Sequence, residues 1–129
     1  EIRNCDWSSD VCSSDLEGTI TAAFDREFST TSPADVVLGL QGPALANDDA
    51  IDASWGTRQT ITDSGSGTAA DQMLTGFSTN ITIAGSPGAG EYVQFRLSRA
   101  ATDAADTSTD DCRVRGVSIK FGLDAMNVD

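Results

Sequence analysis

Short runs of alternating apolar and polar residues, separated by Gly, Pro, Asp, Asn and Ser, run through most of this 129-residue chain. The clearest run is Tyr92–Ser98, in which Val93, Phe95 and Leu97 are separated by polar residues. A period of two places such apolar side chains on one face of a β-strand. No stretch of useful length has the 3.6-residue period of an amphipathic helix. The pattern therefore predicts an all-β fold with Val93, Phe95 and Leu97 in the core.

Further runs predict additional strands and the way in which they pair. The runs are Gly18–Phe28, Val36–Leu40, Thr57–Thr62, Asn80–Ala84 and Cys112–Phe121. Ala69–Leu74 is compatible with a strand or with a helical turn. The Gly- and Pro-rich residues 85–90 predict a turn that pairs Asn80–Ala84 with Tyr92–Ser98 as a hairpin. About six to eight strands in one domain predict an antiparallel two-sheet β-sandwich, with the jelly roll as one form of it.

The phase of the apolar residues predicts which face of each strand is buried. Ile20, Ala22 and Phe24 share one face of the first run. In the last run the phase changes at Gly116: the apolar residues are Cys112 and Val114 before it, and Val117, Ile119 and Phe121 after it. One extra residue would bring both sets to the same face. We therefore predict a β-bulge at or beside Gly116.

Residues 1–16 resemble the in-frame translation of a sequencing adapter. Asp6–Leu16 matches the translation of the common indexed read-two adapter over its whole length, and Glu1-Ile2 fits the bases that precede the index. The segment has neither the positive start nor the apolar run of a secretory signal. We therefore expect residues 1–16 to be an adapter-derived artefact. Residues 17–129 are expected to form a single β-sandwich domain that lacks its natural N-terminus.

Leaving out residues 1–16 changes the composition that the fold and function depend on. The formal net charge goes from −12 to about −9, and Cys112 is the cysteine that remains. Such an acidic chain is poorly suited to phosphate backbones or anionic lipid, so neither nucleic acid nor membrane is an expected partner. The sequence contains no His, which removes His-based catalytic triads. Cys112 is either a small buried apolar residue or a reactive thiol, and its place in a predicted strand favours the first.

Aspartates are concentrated in two predicted loops. They are Asp48, Asp49 and Asp52 in one, and Asp103, Asp106, Asp110 and Asp111 in the other. Calcium takes six to eight oxygen ligands, so such loops could bind it, but the spacing differs from that of an EF-hand. The alternative is a pair of solvated loops. We expect no cofactor, with Ca²⁺ as the alternative, and no enzymatic activity, because nothing marks any Asp as a general acid.

Exposed aromatic and basic residues are the predicted contact sites for a ligand or partner. Trp55 and Tyr92 are candidates for stacking on a sugar ring, although Trp55 could equally pack within the protein. Most of the positive charge lies in two predicted strands, on Arg96, Arg99, Arg113, Arg115 and Lys120. If these strands are neighbours, the residues form a basic stripe. The stripe would serve either in salt bridges to the acidic loops or in a contact between subunits.

Three segments together carry a resemblance to a known group of proteins. They are Ala53–Asp63, Ile83–Arg96 and Asp110–Phe121, which include a Trp-Gly-Thr motif, a Gly-x-Pro-x-x-Gly turn before a Val-x-Phe-Arg strand, and a closing Gly-Val-x-Ile strand. Over residues 55–121 the chain resembles β-rich structural proteins of unassigned function from tailed bacteriophages. Cys112 and Arg113 depart from the usual small and variable residues of the closing motif.

This resemblance implies a virion protein, such as a head decoration, fibre or tail-associated protein, that acts without catalysis. It would form a homo-oligomer or contact other virion proteins, and it would be assembled in the host cytoplasm. The expected contact residues are Trp55, Tyr92, Arg96, Arg113 and Arg115. The alternative expectation is a carbohydrate-binding β-sandwich module that binds a glycan through Trp55, Tyr92 and the acidic loops.

Overall fold

The computed structural model describes residues 16–88 and 90–123, and it confirms the all-β prediction. These residues form strands joined by turns and loops, with no helix among them. The strands are β1 (Leu16–Phe28), β2 (Asp35–Gln41), β3 (Ala44–Leu45), β4 (Gln59–Ser64), β5 (Met73–Leu74), β6 (Ile81–Thr82), β7 (Tyr92–Val93), β8 (Arg96–Arg99) and β9 (Cys112–Leu123). In the described part of the chain, therefore, no helix is long and apolar enough to cross a membrane.

β1 is the central strand of a four-stranded sheet. β9 lies along one of its edges, and β5 and β6 lie one after the other along the opposite edge. Between β5 and β6 the chain stays hydrogen-bonded to β1, because the N–H of Thr75 donates to Phe24 O (3.0 Å) and that of Ser78 to Ala22 O (2.8 Å). The hydroxyls of Thr75 and Ser78 in turn accept hydrogen bonds from the N–H groups of Phe24 and Ala22. The ambiguous run Ala69–Leu74 contributes only the short strand β5.

The second sheet has the order β4-β2-β8, and β3 pairs with β7 in a separate two-stranded ladder. The two ladders share one register, because Gln41 pairs with Arg96 and, three residues further along both strands, Ala44 pairs with Val93. Residues 92–99 therefore form one bent strand along residues 38–45. The bend lies at Gly42, where a Cβ atom would overlap the carbonyl oxygen of Gln94. Only glycine permits this close approach of the two backbones.

The predicted hairpin between Asn80–Ala84 and Tyr92–Ser98 is wrong. β6 pairs with β1, whereas β7 and β8 pair with β3 and β2. The turn between them carries the chain from one sheet to the other. At its start, Ala84 is hydrogen-bonded to the segment before β3: the N–H of Ala44 donates to Ala84 O (2.8 Å), and the N–H of Ala84 donates to Gly42 O (3.0 Å). Residues 85–90 do connect the two strands, as predicted. The strands pair elsewhere because Ile81 and Ile83 are buried in the core cluster, and local sequence spacing does not include this long-range contact.

One hydrophobic cluster is shared by the inward faces of β1 and β2. Ile20, Ala22 and Phe24 are buried there as predicted, opposite the buried residues of β2. The prediction of a fully buried Val93–Phe95–Leu97 face is wrong in part. These residues lie on the same side of the ladder as the cluster, but Phe95 and Leu97 remain 41% and 39% exposed. Their strand lies at the edge of its sheet, where the opposite sheet does not cover them.

The predicted β-bulge is present. Asp25 pairs with Gly116 and Arg26 with Val114, so Arg115 is the extra residue of β9, directly beside Gly116. In this register, the apolar residues on both sides of the bulge pair with the inward-facing residues of β1. Of the segment predicted to be an adapter artefact, residues 1–15 lie outside the described residues. Its last residue, Leu16, begins β1 and pairs with Leu123.

Candidate functional site

The structure brings two of the predicted contact residues together on the outer face of the β4-β2-β8 sheet. The guanidinium of Arg96 lies over the indole ring of Trp55, 5.9 Å from its centroid. The loop that carries Trp55 is fixed beside the sheet, because the side-chain amide of Gln41 donates to Gly56 O at 3.0 Å. Gly56 has a φ of 71°, a left-handed conformation that favours glycine and explains the Gly of the Trp-Gly-Thr motif.

A second guanidinium, not predicted from the sequence, lies on the same face. Arg58 donates from Nη1 to Ser98 Oγ at 3.0 Å, and its aliphatic carbons lie across Gly39. A Cβ at Gly39 would come within 2.7 Å of the Arg58 side chain, so the missing side chain makes room for it. We call this surface the arginine–tryptophan patch; it consists of Gln41, Trp55, Arg58, Arg96 and Ser98.

Tyr92 lies apart from this patch, beside the first acidic loop. Its side chain is 81% exposed, and Ile51 next to it in the same pocket is 80% exposed. The pocket has a volume of about 440 Å³ and is also lined by Asp48 and Asp49. It combines an aromatic ring with carboxylates that can accept hydrogen bonds from hydroxyl groups. Trp55 is not among the residues that line this pocket, so the two aromatic side chains do not share it.

Arg113 and Arg115 lie on β9, in the other sheet from Arg96. Both approach Glu27 of β1, with Nη1–Oε distances of 3.2 Å and 3.9 Å. The condition for a basic stripe, that the two strands are neighbours, is therefore not met, because β8 pairs with β2 and β9 pairs with β1. β8 and β9 follow each other in the sequence but belong to different sheets. The loop between them instead runs along β2.

That loop, residues 100–111, is held in place by an ion pair between Arg99 and Asp106. The Asp106 side chain is 1% exposed and accepts hydrogen bonds from Arg99 and from the N–H of Val37 (3.0 Å). Hydrogen bonding from Arg99, opposed by burial, lowers the pKa of the Asp106 carboxyl. Arg99 also donates to the carbonyl groups of Ser108 and Asp110. For this pair, the salt-bridge interpretation of the basic residues is confirmed.

The described aspartates are dispersed among different roles. Asp106 is bound by Arg99, and Asp49 accepts a hydrogen bond from the N–H of Ala46 at 2.8 Å within its own loop. Within residues 16–88 and 90–123, no three carboxylate or cysteine side chains are grouped as metal ligands would be. The dispersed carboxylates do not test calcium binding, so the calcium alternative stays a prediction.

The sequence reasoning missed a buried ion pair between the two sheets. Arg26 of β1 has a fully buried side chain that donates from Nε to Asp63 Oδ2 (2.9 Å) of β4 and from Nη2 to Ser64 O (2.7 Å). Its Nη2 also contacts the Asp63 carboxylate, and its Nη1 is buried without a hydrogen-bond partner. A signal was available, because Arg26 continues the inward-facing series that begins at Ile20.

Cys112 packs against the core cluster from β9 and is half-buried. Burial raises the pKa of its thiol, against the lowering effect of the nearby Arg26 guanidinium. A raised pKa keeps the thiol protonated and unreactive. The interpretation of Cys112 as a small apolar residue is therefore supported by its surroundings.

Both β8 and β9 leave inward-facing apolar side chains exposed at the edges of their sheets. At β8 these are Leu97 and, in the bend just before the strand, Phe95. On β9 they are Val117 and Phe121, and Phe121 is 56% exposed. We call these two edges the open rims. β9 pairs only with β1 among the described residues, so the backbone groups on its other edge have no strand partner there. Exposed edges of this kind invite pairing with another chain.

Comparisons with protein-family models, with curated proteins and with solved structures found no match to this chain.

Proposed function

We propose that this protein is a non-catalytic structural or surface-recognition component of a tailed-phage virion that acts by packing against copies of itself or other virion proteins. Support for the phage assignment is the resemblance of residues 55–121 to phage structural proteins. Support for a non-catalytic role comes from the sequence, which contains no His and therefore no His-based catalytic triad.

The observation that carries the assembly part of this proposal is the pair of open rims. Val117 and Phe121 face the same side as the buried residues of β1, yet they remain exposed. Full burial of an apolar side chain of this size contributes about 1.5–3 kcal/mol, and because Val117 and Phe121 are already about half covered, covering the rest contributes about half of that for each. A neighbouring chain that extends the sheet at β9 would cover these residues and pair the open edge of the strand.

The finer architecture that we propose is a two-sheet antiparallel β-sandwich formed by residues 17–129. It is supported by the shared cluster between β1 and β2 and by the Arg26–Asp63 pair, which joins the two sheets. In a sandwich, such inward-facing residues alternate with outward-facing polar ones along each strand.

Sedimentation velocity at micromolar concentrations tests the assembly proposal. We expect the wild-type chain to be oligomeric, and Phe121→Lys to shift it toward monomer because a charge would be buried in the interface. Leu74→Lys is the matched control, because Leu74 is also exposed but pairs with Asp25, on the outward face of β1. A monomeric wild type, or an equal effect of both substitutions, would refute the proposal.

The genes that flank the coding sequence test the virion assignment separately. Neighbouring capsid, portal or tail genes are the expected result. A neighbourhood of metabolic genes would contradict it, whatever the oligomeric state of the protein.

A carbohydrate-binding module is the second candidate function, and the pocket beside Tyr92 favours it. The exposed ring and the carboxylates of Asp48 and Asp49 could stack on a sugar and accept hydrogen bonds from its hydroxyls. A glycan array tests this candidate. Binding that is lost in Tyr92→Ala or Trp55→Ala would support it, and the two variants tell which surface is used. No binding to any glycan would remove it. Binding that persists in the presence of a chelator would remove the calcium alternative.

A further inference from the structure

We propose that the arginine–tryptophan patch binds a saccharide that carries a carboxylate, through the guanidinium groups of Arg58 and Arg96 and the indole of Trp55. This inference rests on the surface-recognition part of the proposed function and adds the chemical class of the ligand.

The first argument is the charge of the patch. The chain has a formal net charge of −12, yet neither Arg58 nor Arg96 has a carboxylate within 4.0 Å among the described residues. The other described arginines all have one; they are Arg26, Arg99, Arg113 and Arg115. Two guanidiniums left without an acid in such an acidic protein favour an anionic ligand, since guanidinium and carboxylate form strong paired hydrogen bonds.

The second argument is that the patch is held in position before any ligand arrives. The Arg58 side chain is fixed at both ends, by its packing across Gly39 and by its hydrogen bond to Ser98 Oγ. The Arg96 guanidinium lies over the Trp55 ring at 5.9 Å from its centroid, and the loop that carries Trp55 is held by the hydrogen bond from Gln41 to Gly56. Fixing the side chains in advance reduces the entropy that binding would otherwise cost.

The third argument distinguishes a saccharide from a protein partner. Beside the patch, the residues that share this face by register are Gly39, Gln41, Thr60 and Ser98, and none of them has a large apolar side chain. The apolar Val37, further along β2 on the same face, is buried. The cores of protein interfaces are apolar, which this face is not. A pyranose ring instead offers an apolar face to one indole and hydroxyl groups to surrounding amides and hydroxyls. The composition of the patch therefore favours a sugar.

Fluorescence titration of the full chain tests the proposal. A Trp7→Phe background leaves Trp55 as the single tryptophan. The first probe is trigalacturonate, and its uncharged counterpart is the trigalacturonate methyl ester. The second probe is 3′-sialyllactose, and its uncharged counterpart is lactose. We expect one charged saccharide to bind about tenfold more tightly than its counterpart, since loss of a charge-assisted hydrogen bond has about this effect.

Matched arginine variants locate the binding. Arg58→Gln and Arg96→Gln should each weaken binding about tenfold. Arg113→Gln removes the same charge from β9 and should change it less than about twofold, because a distant exposed charge is screened by solvent and salt. Binding that falls equally in all three variants would reveal a general charge effect and overturn the proposal.

Three further results would also overturn the proposal. One is failure of both charged saccharides to bind at millimolar concentration. Another is citrate binding as tightly as the saccharide, which would mean that the patch takes any small anion. The third is a change in sedimentation of Arg58→Gln without a change in saccharide binding, which would make the patch a protein interface. The open-rim variant Phe121→Lys changes assembly at another strand, so the two proposals can fail independently.

Discussion

The buried ion pair between Arg26 and Asp63 gives a prediction whose magnitude differs between the two partners. Arg26 has no exposed side-chain surface, whereas Asp63 is 29% exposed. Replacing Asp63 by Asn leaves a buried guanidinium that keeps only Ser64 O as a good acceptor. Breaking a buried pair in this way costs about 3–5 kcal/mol, and the amide oxygen of Asn recovers part of it. We therefore expect Asp63→Asn to lower the free energy of unfolding by about 3 kcal/mol.

Replacing Arg26 by Met should cost much less. Asp63 can then turn to water, because its side chain is already partly exposed, and the flexible Met side chain fills most of the space beside Phe28. We expect a loss of about 1 kcal/mol. Adding Arg26→Met to Asp63→Asn should therefore restore about 2 kcal/mol, because it removes the buried charge that has lost its partner.

Urea unfolding followed by circular dichroism measures all four proteins of this double-mutant cycle. Urea is preferred to guanidinium because it leaves ion pairs unscreened. The reasoning would be refuted if the double variant were no more stable than Asp63→Asn. It would also be refuted if Arg26→Met were the more damaging single change.

Two further predictions concern loop and backbone contacts. Asp106→Asn should lower the free energy of unfolding by about 2 kcal/mol at pH 7, as a buried charged hydrogen bond is lost. Arg99 lowers the folded-state pKa of Asp106 below its ordinary 3.8. The difference in unfolding free energy between wild type and Asp106→Asn should therefore be full above pH 3.8 and vanish as the pH falls through the lowered pKa. A difference in unfolding free energy that stays constant down to pH 2 would contradict this prediction. Gly42→Ala should cost about 2–3 kcal/mol through overlap with Gln94 O, whereas Gly76→Ala, with no atom within 4 Å of the new Cβ, should be nearly neutral. Equal midpoints of thermal unfolding for the two alanine variants would show that the bend tolerates a side chain.

The features that could be predicted from the sequence are those that depend on local alternation. The inward face of β1 follows from the period of two, and the bulge at Arg115 follows from a change of phase around Gly116. Both are consequences of the geometry of a single strand. The exposure of Tyr92 followed in the same way, because it is out of phase with its apolar neighbours.

Strand partners and the contents of the arginine–tryptophan patch could not be predicted in this way. Tyr92–Ser98 pairs with residues 39–45, far away in the sequence, because Gly42 lets the backbones approach at the bend. Arg58 joins Arg96 only because β4 and β8 both flank β2. Such neighbours depend on the order of strands in the sheet, which cannot be predicted from the local alternation of residues in a single sequence. The inward position of Arg26 could be inferred from alternation, but its partner Asp63 could not.

Amide hydrogen exchange along β9, measured across a range of protein concentrations, tests most directly whether the open rim is a subunit interface. Alternate N–H groups of an edge strand point away from its partner, and they exchange readily when no other chain pairs with them. We predict that these amides of residues 112–123 become protected as the concentration rises into the micromolar range, and that Phe121→Lys abolishes this protection. Fast exchange of these amides at every concentration, with the remaining β9 amides protected by β1, would contradict the proposal.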